Sequence, residues 1–284
     1  MKKKMIMIAM VCVLSIAAVF AQGSSESKTA SASVVTKNYT FGGSSTVAPI
    51  INSAIPVFEA GTSGVKISYE TLGSSVGIKQ LQEGTLSLAG SSRELKSSET
   101  EAGLVTTTIA LDGLSVAVNS SVSISNLSMA QLASIFAGEI TNWKDVGGKD
   151  AKIELIVRDE TSGTYGSFKE IVLDSQKKAA SVNAIVAREN GELAAKIAST
   201  PNSIGYIGMA FNHIITEAGG KILTIDGVAP ASETVKSGKY PISRELYVVS
   251  KGTLQPSVEK DFVDFLLSAK GQAIVLESAF IPLN

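Results

Sequence analysis

The 284 residues carry a formal net charge of −1, 25 Lys and Arg against 26 Asp and Glu, and 44% are apolar. A chain of this length and apolar content fills one large or two medium lobes with proper cores, while so even a charge balance gives no broad field for nucleic acid. A single Cys and a single His exclude a disulfide framework and leave little material for a histidine-centred metal or catalytic site.

Lys2-Lys3-Lys4, an apolar run from Ile6 to Phe20 and small residues ahead of Gln22 read as an export signal over residues 1–21, too short to span a bilayer comfortably. An uncleaved anchor is the competing reading. Cys12 follows Val11 and the apolar run continues past it, unlike a lipid-attachment site, so it reads as filler within the signal. Cleavage would take away the three lysines and the only cysteine, moving the net charge to −4 and leaving stability to packing alone. Residues 22–33 are rich in Ser, Ala, Thr and Lys without an apolar period, which predicts a flexible leader.

From Tyr39 onward short β-like runs alternate with helical ones. Tyr39 to Phe41 is followed by a helix over about 47–60, then Val65 to Tyr69, a helix over about 77–83, and Leu86 to Ala89. Such alternation predicts βα units and a mainly parallel sheet covered on both faces. Leu104 to Asn119 reads as a long β-rich segment broken at Asp112-Gly113, of a length that leaves one sheet for another. Met129 to Ala137 is a short helix, and Ile140-Thr141-Asn142-Trp143 leads to a turn at Gly147-Gly148. The strand Ile153 to Val157 precedes Arg158, and a helix runs to about Leu173. Further on lie a helix over about 191–199, strands Ile204 to Ile207 and Ile222 to Ile225, and a short helix over 230–237 with Pro230 in its first turn. A second long strand, Glu245 to Ser250, and helices over about 257–268 and 271–278 close the chain.

Three turns share one design. Gly42-Gly43-Ser44-Ser45-Thr46-Val47-Ala48-Pro49, Leu72-Gly73-Ser74-Ser75-Val76-Gly77 and Arg158-Asp159-Glu160-Thr161-Ser162-Gly163-Thr164 each follow a strand and open a helix. Each presents unpaired backbone N–H groups and hydroxyls, and the third adds a guanidinium, so together they predict helix N-termini converging on one anion. Glu160 or Asp159 is placed to orient Arg158 from behind, the alternative being a solvated turn carboxylate. Counting elements gives one lobe from 34–113 plus 248–284 and a second from 114–247, joined by crossings at Leu111 to Val118 and Leu246 to Ser250. The first two turns then lie on one lobe and the arginine turn on the other.

An ordered set of segments, Gly43-Ser44-Ser45-Thr46-Val47-Ala48-Pro49, Gly73-Ser74-Ser75, Ser91-Ser92-Arg93-Glu94-Leu95, Asp112-Gly113-Leu114-Ser115-Val116, Ile140-Thr141-Asn142-Trp143, Arg158-x-x-x-Ser162-Gly163-Thr164 and Ser203-Ile204-Gly205-Tyr206, resembles the periplasmic phosphate-binding proteins of bacterial phosphate ABC transporters. The resemblance runs from about Tyr39 to the C-terminus. It implies an α/β, two-lobed type II periplasmic-binding-protein fold, each lobe a mainly parallel sheet flanked by helices, with two hinge crossings. It further implies a monomer in the periplasm or another extracytoplasmic space that captures inorganic phosphate between its lobes and delivers it to an ABC permease with a separate ATPase. By the same resemblance phosphate would meet Ser45, Thr46 and the backbone of Val47, Ser74, Ser92, Arg158, Ser162, Gly163 and Thr164. Ser92 stands where many members of the family have an aspartate that accepts a hydrogen bond from protonated phosphate. A serine hydroxyl both donates and accepts, so repulsion of fully deprotonated anions is weakened. Asp112 is a candidate for the missing carboxylate, the alternative being a solvent-facing turn residue.

Other readings stay open beside this one. A binder of sulfate, molybdate or tungstate, or a phosphate-sensing module, would use the same fold. Catalysis has little support: there is no Gly-x-Ser-x-Gly elbow and no Gly-x-x-x-x-Gly-Lys-Ser/Thr loop, and His213 lies far from Ser162 in sequence. No metal or cofactor is expected. His213 reads as a surface or packing residue, Trp143 as a packing anchor, and Arg93 and Glu94 as cleft neighbours that pair across it or cap a helix.

Overall fold

A computed structural model describes residues 36–284, so the predicted signal at 1–21 and leader at 22–33 lie outside the described residues. The first part of the chain builds β1 (Lys37–Gly43), α1 (Ala48–Gly61), β2 (Val65–Thr71), α2 (Ser74–Glu83), β3 (Leu88–Ser91), α3 (Ser97–Glu101) and β4 (Leu104–Val118). The middle builds β5 (Asn126–Leu127), α4 (Met129–Phe136), β6 (Glu154–Arg158), α5 (Gly163–Phe168), β7 (Ile185–Ala187), α6 (Asn190–Ser199), β8 (Ser203–Gly208), α7 (Asn212–Glu217), β9 (Lys221–Ile225) and α8 (Ser232–Lys236). The chain ends in β10 (Ser243–Lys251), α9 (Val258–Leu267) and α10 (Ala269–Glu277).

These strands form a mixed sheet in the order β2-β1-β3-β10-β4-β8-β6-β7, with β9 also on β4 and β5 on β9. Pairs β1·β2, β1·β3, β6·β8, β6·β7 and β5·β9 are parallel, as βα alternation predicts. Every antiparallel pair involves β4 or β10, the two long strands. β4 runs unbroken through Asp112-Gly113, where a break was expected. Its residues Leu104 to Gly113 pair with β10, and Leu114 to Val118 pair with β8. One strand is therefore shared by two sheets. β10 pairs with β4 from Ser243 to Lys251.

The helices follow from apolar spacing. In α1 the buried face is Ile50, Ile51, Ala54 and Phe58, a three-to-four-residue period, and Pro49 sits in the first turn where its missing N–H costs nothing. Pro56 lies inside the helix, and the carbonyl it cannot pair belongs to exposed Asn52, which water can serve. Ser128 caps α4 by accepting from Gln131 N at 3.1 Å, and Ser257 caps α9 through Lys260 N.

Two main cores result. One gathers Phe41, Ile50, Phe58, Leu88, Phe262 and Ile274 from β1, α1, β3, α9 and α10. The other gathers Leu114, Phe136, Trp143, Phe168, Tyr206 and Tyr240 around β4 and β8. Trp143 is buried and donates its Nε1–H to Asn202 O at 2.9 Å, the packing anchor expected of it. Ile281 of the C-terminal tail exchanges two backbone hydrogen bonds with Leu111, tying the end of the chain to β4 beside the sheet change.

Phe262 is fully buried, 5.3 Å from the Phe41 ring and 5.2 Å from that of Phe58. Phe262→Ala is expected to cost about 3–5 kcal/mol, read as a lower urea midpoint with little change in slope.

Candidate functional site

The parallel strands β1, β3 and β6 deliver their carboxyl ends to one place, the usual position for a ligand in an α/β sheet. Gly43 ends β1 with φ +124°, and Gly77 of α2 lies against it. A Cβ at Gly77 would stand 2.4 Å from Gly43 Cα, so only glycine lets α2 approach this closely. That approach carries Ser74, the first residue of α2, to the end of β3. There Ser92 N donates to Ser74 Oγ at 3.2 Å, and the two hydroxyls lie 3.4 Å apart. Ser44 Oγ accepts from Thr46 N at 3.1 Å and Val47 N at 3.3 Å and donates to Ser92 Oγ at 3.0 Å. The backbone N–H of Val47, expected to face an anion directly, is thus turned onto the Ser44 hydroxyl, which serves the start of α1.

Arg158, the last residue of β6, is 1% exposed. Its Nη1 donates to Asn190 Oδ1 at 2.8 Å and its Nη2 to Arg188 O at 2.5 Å and to Ser45 Oγ at 3.1 Å. Its Nε is buried without a partner among the described residues. Burial pulls the guanidinium below its ordinary range, against the charges of Glu189 and Asp159. The acidic group expected behind it is elsewhere: Glu160 is exposed, and Asp159 accepts from the backbone and hydroxyl of Thr161. A neutral amide and a carbonyl hold Arg158 instead, leaving its positive charge uncancelled by a bonded carboxylate.

Ser162 caps α5, its Oγ accepting from Thr164 N at 3.2 Å and Tyr165 N at 3.4 Å. Thr164 Oγ1 lies 3.1 Å from Thr46 Oγ1, a contact between residues 118 apart in sequence. A Cβ on Gly163 would stand 2.2 Å from Ser74 Oγ and 2.5 Å from Ser92 Oγ. The backbone of α5 therefore closes onto the hydroxyls of α2 and β3. Ser45, Thr46, Ser74, Ser92, Arg158, Gly163 and Thr164 are all brought together in this way.

Asp112 neither faces solvent nor leaves its carboxylate free. It is 1% exposed; Oδ2 accepts from Arg244 Nη2 at 2.7 Å and Nε at 3.1 Å, and Oδ1 accepts from Met209 N at 3.2 Å. Neither alternative open for Asp112, a free carboxylate or a solvent-facing turn residue, describes it, because the Arg244 guanidinium stands directly opposite it on β10 and takes up its charge. Burial pushes the Asp112 carboxyl up, with Arg244 opposing, and pulls the Arg244 guanidinium down, with Asp112 opposing. Arg244 is a buried charged residue beside these groups that the sequence reading does not single out. It lies 132 positions from its partner, in a strand whose apolar pattern gives no hint of a buried charge.

Arg93 has the structural role foreseen as one alternative. It pairs with Glu99 of α3 at 2.7 Å, donates to Glu94 O, and reaches Ser75 Oγ at 3.3 Å. Burial would raise the Glu99 carboxyl, but hydrogen bonds from Arg93 and Lys96 N hold it below the usual carboxylate range. His213 is exposed, its Nδ1 against Ala210 O. Among the described residues no group of His, Cys, Asp and Glu is arranged to hold a metal ion.

A model of the PBP superfamily domain matches residues 24–270. The phosphate-binding protein PstS of Borreliella burgdorferi is 38% identical over 253 residues, covering 87% of this chain and 91% of that protein. The chain belongs to the PstS phosphate-binding family. A second member, PstS of Bacillus subtilis, is 32% identical over 248 residues, 86% of this chain and 80% of the relative. A crystal structure from Clostridium perfringens, described as a phosphate ABC transporter substrate-binding protein with bound phosphate, superposes with a TM-score of 0.79 at 31% identity, covering 87% of this chain and all of the other. The two-lobed α/β fold expected from the resemblance is the fold of this PstS-type chain.

Glu99→Gln should lower stability by about 1.5–3 kcal/mol at neutral pH, the range for hydrogen bonds to a charged group. Because the folded carboxyl is held low, that contribution is present above its unfolded pKa and lost as pH falls through the folded one. Parent and variant melting midpoints should therefore converge in acid. Gly163→Ala should force α5 away from Ser74 and Ser92, read as a larger radius of gyration by small-angle scattering with a nearly unchanged far-ultraviolet spectrum.

Proposed function

We propose that this protein is an extracytoplasmic phosphate receptor that takes inorganic phosphate between its lobes and hands it, as a monomer, to an ABC permease driven by a separate ATPase. One observation carries the reading: a buried guanidinium, Arg158, bonded to no carboxylate, reaches the Ser45 hydroxyl of the first turn, whose neighbour Thr46 meets Thr164 of the third. The groups proposed to contact phosphate are Ser45, Thr46, Ser74, Ser92, Arg158, Ser162, Gly163 and Thr164, while the Val47 N–H serves Ser44 and Asp112 is held by Arg244.

Removing phosphate from water is unfavourable unless nearly every oxygen is hydrogen-bonded. Backbone N–H groups, hydroxyls and one planar guanidinium fix a tetrahedral shape and a donor count, whereas a cluster of lysines would accept any polyanion. An upper efficiency of about −1.5 kcal/mol per non-hydrogen atom gives about −7.5 kcal/mol for phosphate, a dissociation constant of order micromolar.

The proposed lobes are residues 36–113 with 243–284, and 114–242. Rotation about the β4 and β10 crossings would part Thr46 from Thr164 and Ser74 from Gly163. A ligand held by both sets favours the closed state by their joint contribution. The predicted export signal supports delivery outside the cytoplasm, and no helix among the described residues is long and apolar enough to cross a membrane.

A second reading rests on Ser92. With a hydroxyl in place of a carboxylate, sulfate or molybdate meets no acceptor-only group. Calorimetric titration with phosphate, sulfate and molybdate separates the two readings, and micromolar or tighter phosphate binding is the expected outcome. Arg158→Lys should weaken phosphate by at least about thirtyfold, since truncating one partner of a buried charged hydrogen-bond set costs about 2–5 kcal/mol. Phosphate affinity unchanged in that variant would remove the site from where it is drawn.

A further inference from the structure

Arg158 draws two of its acceptors from one short turn. β6 and β7 run parallel with Arg158 opposite Ala187, and the next three residues, Arg188, Glu189 and Asn190, carry the chain from β7 into α6. Asp159 N donates to Ala187 O at 3.2 Å, which holds the two strand ends side by side. Arg188 then presents its carbonyl to Nη2, and Asn190 its Oδ1 to Nη1 at 2.8 Å.

Asn190 belongs to no motif that marks the anion site, and it is 3% exposed. An asparagine at the start of a helix commonly caps it, its side-chain oxygen accepting from a backbone N–H of the first turn. Here Glu189 occupies the cap position without a side-chain bond, and the Asn190 side chain is turned to the guanidinium instead. Chemistry fixes which end of the amide faces Arg158. A guanidinium only donates, so Oδ1 accepts and Nδ2 points elsewhere. Nδ2 is buried and has no partner among the described residues.

Three local rules favour an aspartate at this position. A carboxylate of the same shape would accept from Arg158 with either oxygen and leave no buried N–H over. Its bond to the guanidinium would be an ion pair, stronger than the bond from an amide. It would also lie in the first turn of α6, where the helix dipole stabilises negative charge. An amide gives up all three advantages. What it preserves is the positive charge of Arg158, which a bonded carboxylate would cancel.

No other group around Arg158 cancels that charge at close range. Asp159 and Glu189 stand beside it in the two turns, but Asp159 accepts from Thr161 and Glu189 is exposed. The Tyr206 hydroxyl of β8 accepts from Arg158 N at 3.4 Å, and burial pushes that phenol up, so it stays neutral. Arg244 on β10 is paired with Asp112.

We propose that Asn190 is a positioning residue that clamps Arg158 through a neutral acceptor, fixing the guanidinium while its charge remains for the bound anion. This deepens the phosphate reading and rests on it. The residue sets phosphate affinity through the charge of its neighbour.

Charge and position can be separated experimentally. Phosphate affinity is measured by titration calorimetry, and the melting midpoint of the phosphate-free protein by scanning calorimetry, for the parent, Asn190→Asp and Asn190→Leu. Asn190→Asp keeps the acceptor and adds a charge. Its phosphate-free midpoint should stay or rise, while phosphate binding weakens by about tenfold or more, because a carboxylate then lies close to a desolvated anion. Asn190→Leu removes the acceptor, and both quantities should fall.

A merely structural clamp gives a different order, with Asn190→Asp holding Arg158 at least as well as the parent does and binding phosphate as tightly. An affinity of Asn190→Asp within about twofold of the parent therefore overturns the proposal, and so does an affinity that falls only in step with the midpoint in both variants. If Asn190→Asp does not fold, Asn190→Leu decides, since unchanged phosphate affinity there overturns the clamp. A parent that binds no phosphate brings down the phosphate reading itself. A parent and an Asn190→Asp variant that bind it equally well bring down only the role of Asn190.

Discussion

A guanidinium taken out of water has to be met by acceptors over most of its N–H groups, and Arg158 meets this demand with an amide, a carbonyl and a serine hydroxyl instead of a carboxylate. Its charge is solvated by dipoles and left uncompensated by any bonded anion of the protein. The surroundings follow from that choice. Asn190 has to sit at the start of α6, Arg188 has to present its carbonyl, and Ser45 has to arrive from the turn between β1 and α1. A tetrahedral anion at the proposed site would supply the negative charge and the acceptor for Nε that this buried arginine lacks.

The second buried guanidinium, Arg244, is handled in the opposite way. Asp112 neutralises it across two paired strands, and Met209 N takes up the other carboxylate oxygen. The two arginines are therefore not equivalent. One has a vacant valence of charge for a ligand, while the other has its charge spent inside the protein and only its geometry to offer. That geometry reaches Thr164 and Ser92 at the point where β4 passes from one sheet to the other.

Much of the site was legible because helix N-termini advertise themselves locally. Gly-Ser-Ser-Thr after a strand and Thr-Ser-Gly-Thr after another are turn and cap chemistry compressed into a few neighbours, and a reader needs no distant contact to see unpaired N–H groups and hydroxyls there. The parallel βα units were legible for the same reason, through apolar spacing. Errors arose where neighbours in space are far apart in sequence. Asp112-Gly113 looked like a turn, since those residue types make turns, but β10 on one side and β8 beyond it keep β4 extended through them. For Glu160, two positions from Arg158, the neighbours in sequence leave open both a partner of the guanidinium and a solvated turn carboxylate, and the turn carries its side chain to solvent.

The amino-acid sequence by itself determined the class of fold, the family and the set of hydroxyl-bearing turns, all of which depend on residue type and short spacing. Only the tertiary structure decided which side chains meet. Ser44 faces Ser92 across 48 positions, Thr46 faces Thr164 across 118, and Arg244 faces Asp112 across 132. A hydrogen bond acts over about 3 Å, and no local pattern encodes which distant segments the folded sheet will bring within that range.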